Sequence, residues 1–277
     1  MYAGKELPMS LLWDNHMHSS FSGDCDIPAK EMAAAAKEKG LLGITFTDHL
    51  DLDYMEEPGL FDLDIPAYLD SIQSLAQTES SSLTIRKGIE LGLQPQLTNV
   101  YNEILSSNNF DFVIGSTHVI NGLDPYYPKY FSTRDEHTAF LEYYETILKN
   151  IQAFPNIDAV GHLDYCFRYG PYPDAAYDTY GSYAEIVDAI LSYIIKKDIA
   201  LEVNSGSYRY GLTEPNPSLS ILKRYRQLGG ALITVGADAH TPRHVALEFS
   251  HLAELLLDCG FTEYAVFQNR TPTFFSI

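Results

Sequence analysis

The chain has 277 residues, with 18 Lys and Arg against 37 Asp and Glu, a formal net charge of −19. A surface this acidic repels nucleic-acid phosphates, and no run of ~18 apolar residues is present to form a membrane span. The 45% of hydrophobic residues is ordinary for a globular protein with a real core, and ~250 residues is the usual length of one α/β barrel. The start, MYAGKELPMSLLWDN, has neither the basic opening nor the apolar stretch of a signal peptide, so a soluble, cytoplasmic protein is expected. Cys25, Cys166 and Cys259 are odd in number, far apart and not in a CxxC pair. That argues against a disulfide framework and against a thiolate zinc site, and they read as small buried residues.

Strands and helices alternate along the chain. LLWDNH (11–16) reads as a strand, 28–40 as a helix with Pro28 at its start and Gly40 at its stop, and LGITFTDH (42–49) as a strand. A helix over 64–80, a strand over 83–91, a helix over 95–107 and a strand over 110–118 follow. Then come a longer helix over 133–154, a strand over 157–164, a helix over 182–197 and a strand over 199–204. A helix over 218–230, a strand over 231–240, a helix over 243–260 and a short run YAVFQN close the series. Strand runs such as LITVG and FVIG are continuously apolar, which suits strands covered on both faces. Seven βα units point to a parallel barrel or a doubly wound sheet. With no linker or low-complexity stretch, one domain over 1–277 is expected.

The strand endings carry the chemistry: DNHMH, TDH, GIE, GSTH, GHLD, EVN and GADAH. Six of the nine histidines fall there: His16, His18, His49, His118, His162 and His240. His16 and His18, two apart on an extended chain, point to the same side. In a parallel barrel all these endings meet at the C-terminal mouth. Any one such histidine could be merely hydrogen-bonded; the coincidence of position argues for metal binding, where imidazole with carboxylate suits zinc, iron or manganese. His137, His244 and His251 lie on helical stretches and read as structural or solvated.

The stretches DNHMHSSFSGD, TDH, GSTHV and GADAH resemble, in order and along the whole chain, the four motifs of the PHP family, named for polymerase and histidinol phosphatase. Within it, GHLDYCFRYG, LEVNSGSYRYG and EPNPS make the sequence most similar to the stand-alone histidinol-phosphatases. The resemblance implies a distorted (β/α)7 TIM-like barrel with a trinuclear divalent metal centre. It implies one metal on His16, His18, Glu90 and Asp238, a second sharing Glu90 and adding His118 and His162, and a third on His49, His240 and Asp24. Several relatives have histidine where this chain has Asp24, so zinc, manganese and iron all stay open. Asp14 would orient a ligand histidine through its other ring nitrogen.

The resemblance implies hydrolysis of L-histidinol phosphate to L-histidinol and phosphate, in histidine biosynthesis. A metal-bridging water with lowered pKa would attack phosphorus, with no nucleophilic side chain. No GxSxG elbow or P-loop competes with this reading. Arg168 and Arg209 follow strand endings and are expected on mouth loops as phosphate binders, with surface ion pairing the alternative. The acidic, aromatic loop over 50–66 could hold a cationic amino-imidazole group or be simply solvated. Partners are expected to be a small phosphomonoester, with no nucleic acid and no membrane; the oligomeric state stays open. The alternatives are another phosphomonoester or phosphodiester as substrate, and a non-catalytic PHP module in a larger assembly.

Overall fold

The computed structural model describes residues 11–171 and 179–277. Eight strands form one sheet in which every pairing is parallel: β1 (Trp13–Met17), β2 (Gly43–Phe46), β3 (His49–Leu50), β4 (Thr84–Gly92), β5 (Phe112–Ser116), β6 (Ala159–Val160), β7 (Ala200–Asn204) and β8 (Ile233–Gly236). The order is β1-β2-β4-β5-β6-β7-β8, with β3 on β4. The first and last strands of this order meet near the mouth. There the His18 N–H donates to the Ala239 carbonyl (2.9 Å) and the Asp238 N–H to the His16 carbonyl (2.8 Å). The result is the expected barrel of seven main strands. β1, β5, β7 and β8 are buried at every residue, because helices cover the outside and side chains fill the inside.

The helices are α1 (Ala29–Glu38), α2 (Ile65–Glu79), α3 (Thr98–Ser107), α4 (Glu136–Ala153), α5 (Ala184–Lys196), α6 (Leu219–Gln227) and α7 (Phe249–Asp258). α5 shows the common logic: Val187, Ile190, Leu191 and Ile194 form one buried stripe. Asp64 and Asp135 cap α2 and α4 by accepting the Ala67 and Thr138 N–H groups at 3.1 and 2.8 Å. No helix among the described residues is long and apolar enough to cross a membrane.

Several boundaries differ from the sequence reading, and the differences cluster at the mouth. The strand expected over 42–49 splits into β2 and β3, because the Asp48 carboxylate turns aside to accept the Ser19 N–H (2.7 Å) and the Ser22 hydroxyl (2.8 Å). The strand expected over 157–164 is regular only at Ala159–Val160. The helix expected from 243 starts at Phe249; before it, Ala246 and Glu248 have positive φ, and Asp14 accepts the Ala246 N–H at 2.9 Å. YAVFQN proves to be half of an antiparallel hairpin, β9 (Glu263–Gln268) with β10 (Thr271–Ser276). Asn269 and Arg270 turn it with φ of 48° and 63°, both positive, as a two-residue turn of twisted strands requires. Ala265 and Phe267 pack on Phe112, Ile114, Ala159 and Ala200. Ile114 is level with Glu90, which faces the barrel interior, and Ala159 is level with Ile114. The hairpin therefore stoppers the barrel below the site.

Candidate metal centre and active site

The strand endings converge as expected. Glu90, on β4 at 0% exposure, is the hub. Its Oε2 lies 3.0 Å from His16 Nε2, 3.2 Å from His49 Nδ1 and 3.5 Å from His18 Nε2, and its Oε1 3.0 Å from His162 Nε2 and 3.4 Å from His118 Nε2. Asp238 Oδ1 lies 3.3 Å from His18 Nε2 and 3.8 Å from His16 Nε2. Asp24 Oδ2, at the open edge, lies 3.0 Å from His240 Nε2 and 3.7 Å from His49 Nε2. All nine residues named from the sequence as ligands stand in one cluster.

The grouping of ligand atoms is tighter than the sequence reading divided it. Among the described residues three sets lie within metal-sharing reach: His16, His18 and Asp238; His49, Glu90 and His118; and His18, His49 and His240. His18 and His49 each belong to two sets, and the His18 ring stacks on His49 and His240 at 4.3 and 4.0 Å.

Carboxylates behind the rings fix which nitrogen faces inward. His16 Nδ1 lies 2.5 Å from Glu202 Oε1 and His118 Nδ1 2.6 Å from Asp51 Oδ1. A carboxylate only accepts, so those nitrogens carry a proton, and each Nε2 is the atom turned toward the centre, where a bound cation would take its lone pair. His18 Nδ1 is held at 3.0 Å by the Ser22 hydroxyl, which in turn donates to Asp48. Two glycines make room: a Cβ on Gly92 would sit 1.9 Å from Asp51 Oδ1, and one on Gly236 2.4 Å from His16 Cβ.

Glu202, Asp51, Asp48 and Ser22 escaped the sequence reading. Glu202 stood in plain view in the strand ending EVN; only its register, opposite Thr234 and one step from the His16 ring, gives it its task. Asp14 differs from expectation. Instead of touching a ring nitrogen, its carboxylate accepts three backbone N–H groups, from His16 (3.3 Å), Ala237 (2.9 Å) and Ala246 (2.9 Å). It shapes the chain around β1 and β8, and burial pushes its pKa up to about 6 against those hydrogen bonds.

The donor set fits divalent ions. His16 Nε2 and His18 Nε2 face each other at 3.1 Å, an arrangement that two lone pairs tolerate when a cation lies between them. The buried His49 Nδ1 makes no well-directed hydrogen bond, although Glu90 Oε2 is 3.2 Å away. Burial and the neighbouring His240 and His49 hold the His18 pKa well below its ordinary value, which keeps the ring in the neutral, ligating form. Burial works against the Glu90 carboxylate, yet His16 and His49 hold it well below the usual range.

A family model described as the PHP domain matches residues 14–206. This chain belongs to the PHP family. It is 33% identical over 258 residues to the histidinol-phosphatase of Lactococcus lactis, covering 92% of this chain and 94% of the relative. It is 30% identical over 266 residues to a probable histidinol-phosphatase of Clostridium acetobutylicum, covering 96% and 97%. The crystal structure of the Lactococcus lactis histidinol phosphate phosphatase, complexed with zinc, L-histidinol and phosphate, superposes with a TM-score of 0.85 at 30% identity, over 95% of this chain and 99% of that one.

In this PHP barrel the cluster opens into a cavity of about 390 Å³. Arg168 and Arg209 both line it, but neither pairs with a surface carboxylate. Arg168 is 8% exposed and is spent largely on the protein: Nε donates to Asn216 (2.7 Å), Nη1 to Asp238 Oδ2 (2.8 Å) and Nη2 to Asn204 (2.9 Å). Arg209 donates to the Asp238 carbonyl and lies 3.2 Å from Asp238 Oδ2 through Nη2. His244, read from the sequence as structural or solvated, is a further cavity residue, held by Thr241 Oγ1 at 3.1 Å. His137 and His251 stand apart from the cavity, beside Tyr183 and Tyr208.

Proposed function

We propose that this PHP protein is a metal-dependent phosphomonoesterase that hydrolyses L-histidinol phosphate to L-histidinol and phosphate. The convergence of nine histidine and carboxylate side chains in one cluster, at 30–33% identity to histidinol-phosphatases over nearly the whole chain, carries the reading. His16, His18, Asp24, His49, Glu90, His118, His162, Asp238 and His240 would hold three divalent ions. Bound zinc, manganese or iron supplies Lewis acidity for the phosphoryl oxygens and water activation near neutral pH.

The chain's own residues do the rest. Glu202 and Asp51 keep the His16 and His118 rings aimed inward. Arg168 uses three of its five N–H groups on Asn204, Asn216 and Asp238, so two remain for a phosphate oxygen in the cavity. Arg209, its side chain 13% exposed against 1% for Arg168, is the more available donor. Aromatic side chains around the cavity exclude water from the ester, which strengthens each of these charge-assisted bonds.

A panel of phosphomonoesters tests the substrate. L-histidinol phosphate should give the highest kcat/KM with metal-loaded protein. Absence of turnover on it, with turnover on another ester, would move the protein to a different substrate within the family.

A further inference from the structure

The stretch EPNPS, residues 214–218, supplies none of the nine cluster residues, yet it reaches the site through its middle residue. Asn216 is 2% exposed. Its backbone exchanges two hydrogen bonds with Asn204 at the end of β7: the Asn204 N–H donates to the Asn216 carbonyl at 2.7 Å, and the Asn216 N–H to the Asn204 carbonyl at 2.9 Å. The side-chain amide then lies between two charged groups. Its Nδ2 donates to Asp164 Oδ1 at 2.5 Å, and its Oδ1 accepts the Arg168 Nε–H at 2.7 Å.

These neighbours leave the amide one orientation. A carboxylate only accepts and a guanidinium only donates, so the amide nitrogen must face Asp164 and the oxygen Arg168. Asp164 is itself buried, and its Oδ2 accepts the Ser218 N–H at 2.9 Å. A second relay has the same form. Glu202 Oε2 accepts Asn204 Nδ2 at 3.2 Å, which turns Asn204 Oδ1 to Arg168 Nη2 at 2.9 Å. With Nη1 on Asp238 at 2.8 Å, all three guanidinium nitrogens are held, and Nη1 and Nη2 keep one N–H each. A long side chain fixed in advance in this way loses little freedom when a ligand binds. The two relays differ in their second task. Glu202 also holds the His16 ring, whereas Asp164 and Asn216 hydrogen-bond to no cluster side chain other than through Arg168 among the described residues.

We propose that Asn216 is a positioning residue for the phosphate. It holds the Arg168 guanidinium so that the spare N–H groups of Nη1 and Nη2 serve the cavity that Arg168 lines, and Asp164 dictates the sense of its amide. The proposal rests on the phosphomonoesterase reading above and gives EPNPS a physical task in the site.

Calorimetric titration of the metal-loaded protein with inorganic phosphate reads the arginine without turnover; kcat/KM on L-histidinol phosphate is measured beside it. Asn216→Ala should weaken phosphate binding by about 10-fold, with metal content at the wild-type level. In an Arg168→Ala background the same change should add nothing, because Asn216 acts through that arginine alone. Asp164→Asn puts an N–H where the Asn216 or the Ser218 N–H needs an acceptor, and should weaken phosphate binding too. Combining Asp164→Asn with Asn216→Asp restores every partner: the amide now donates to the carboxylate and accepts the Ser218 N–H, and the carboxylate accepts from Arg168. This exchanged pair should fold and bind phosphate as the wild type does. Wild-type phosphate affinity in Asn216→Ala, or an equal effect of it with and without Arg168, would overturn the proposal. So would an exchanged pair that does not fold, or that binds phosphate as weakly as Asp164→Asn alone, and this arm decides should Asn216→Ala not fold. The expected phosphate pattern in a protein inactive on L-histidinol phosphate would support the positioning role and remove only that substrate.

Discussion

Asp238 shows how much a single residue in this site has to satisfy. Its φ of +53° lies in the left-handed region, which costs energy that the surroundings must repay. Its carbonyl receives Arg209, and its carboxylate stands between His18 on one side and Arg168 and Arg209 on the other. The two arginines, paired as equals in the sequence reading, therefore separate. Arg209→Ala should lower kcat/KM by ~10²-fold through lost phosphate contacts while bound metal stays near normal. Arg168→Ala should also destabilise the fold, by about 3 kcal/mol, because it removes one of the two arginines beside the buried Asp238 and leaves Asn204 and Asn216 without their donor. Thermal melts beside metal analysis separate the two, and identical behaviour of both variants would contradict the division. Asp24 is the most solvent-accessible of the nine, its side chain 39% exposed. Asp24→Ala should lose bound metal and turnover with an unchanged melt of the metal-free protein; full metal content would reduce it to a loop carboxylate. Eight of the nine were legible in the sequence because they lie at or just past strand endings, a position readable from periodicity; Asp24, in the loop after β1, was named only through the family resemblance. Glu202 and Asp51 were not, because their roles come from register between strands distant in sequence.

At the scale of elements, the strands do two jobs with their two ends. At the mouth, β1, β4 and β8 end in side chains that must meet, and the backbone there is irregular. β2 breaks at Thr47 and Asp48, β6 shortens to two residues, and α7 starts late. Apolar periodicity says nothing of such departures, since they follow from polar groups reaching across the barrel. At the other end the β9–β10 hairpin closes the interior. Its second strand, TPTFFS, carries a proline and is largely exposed, so it left no strand signal, although its partner's apolar run did. Phe267 stacks on Phe112 at 5.2 Å inside this stopper. Phe267→Ala should cost about 3–5 kcal/mol of stability, seen as a lower denaturation midpoint, while the folded fraction keeps its kcat because the mouth is untouched. Loss of kcat with no loss of stability would show that the hairpin reaches the site in a way its packing does not suggest.

Over the whole molecule, a chain of net charge −19 must accept a dianionic ester. The field would be reversed locally, by the ions the cluster would hold and by Arg168 and Arg209. The same ions would neutralise the carboxylate charge crowded among the buried imidazoles, which would link metal, fold and activity. The central claim is tested by following phosphate release from L-histidinol phosphate and metal content on the same samples, as purified, after chelation, and after returning zinc, manganese or iron(II). Release should fall with the metal, reappear on its return, and saturate as the cluster fills. Undiminished hydrolysis by protein stripped of metal would contradict the account.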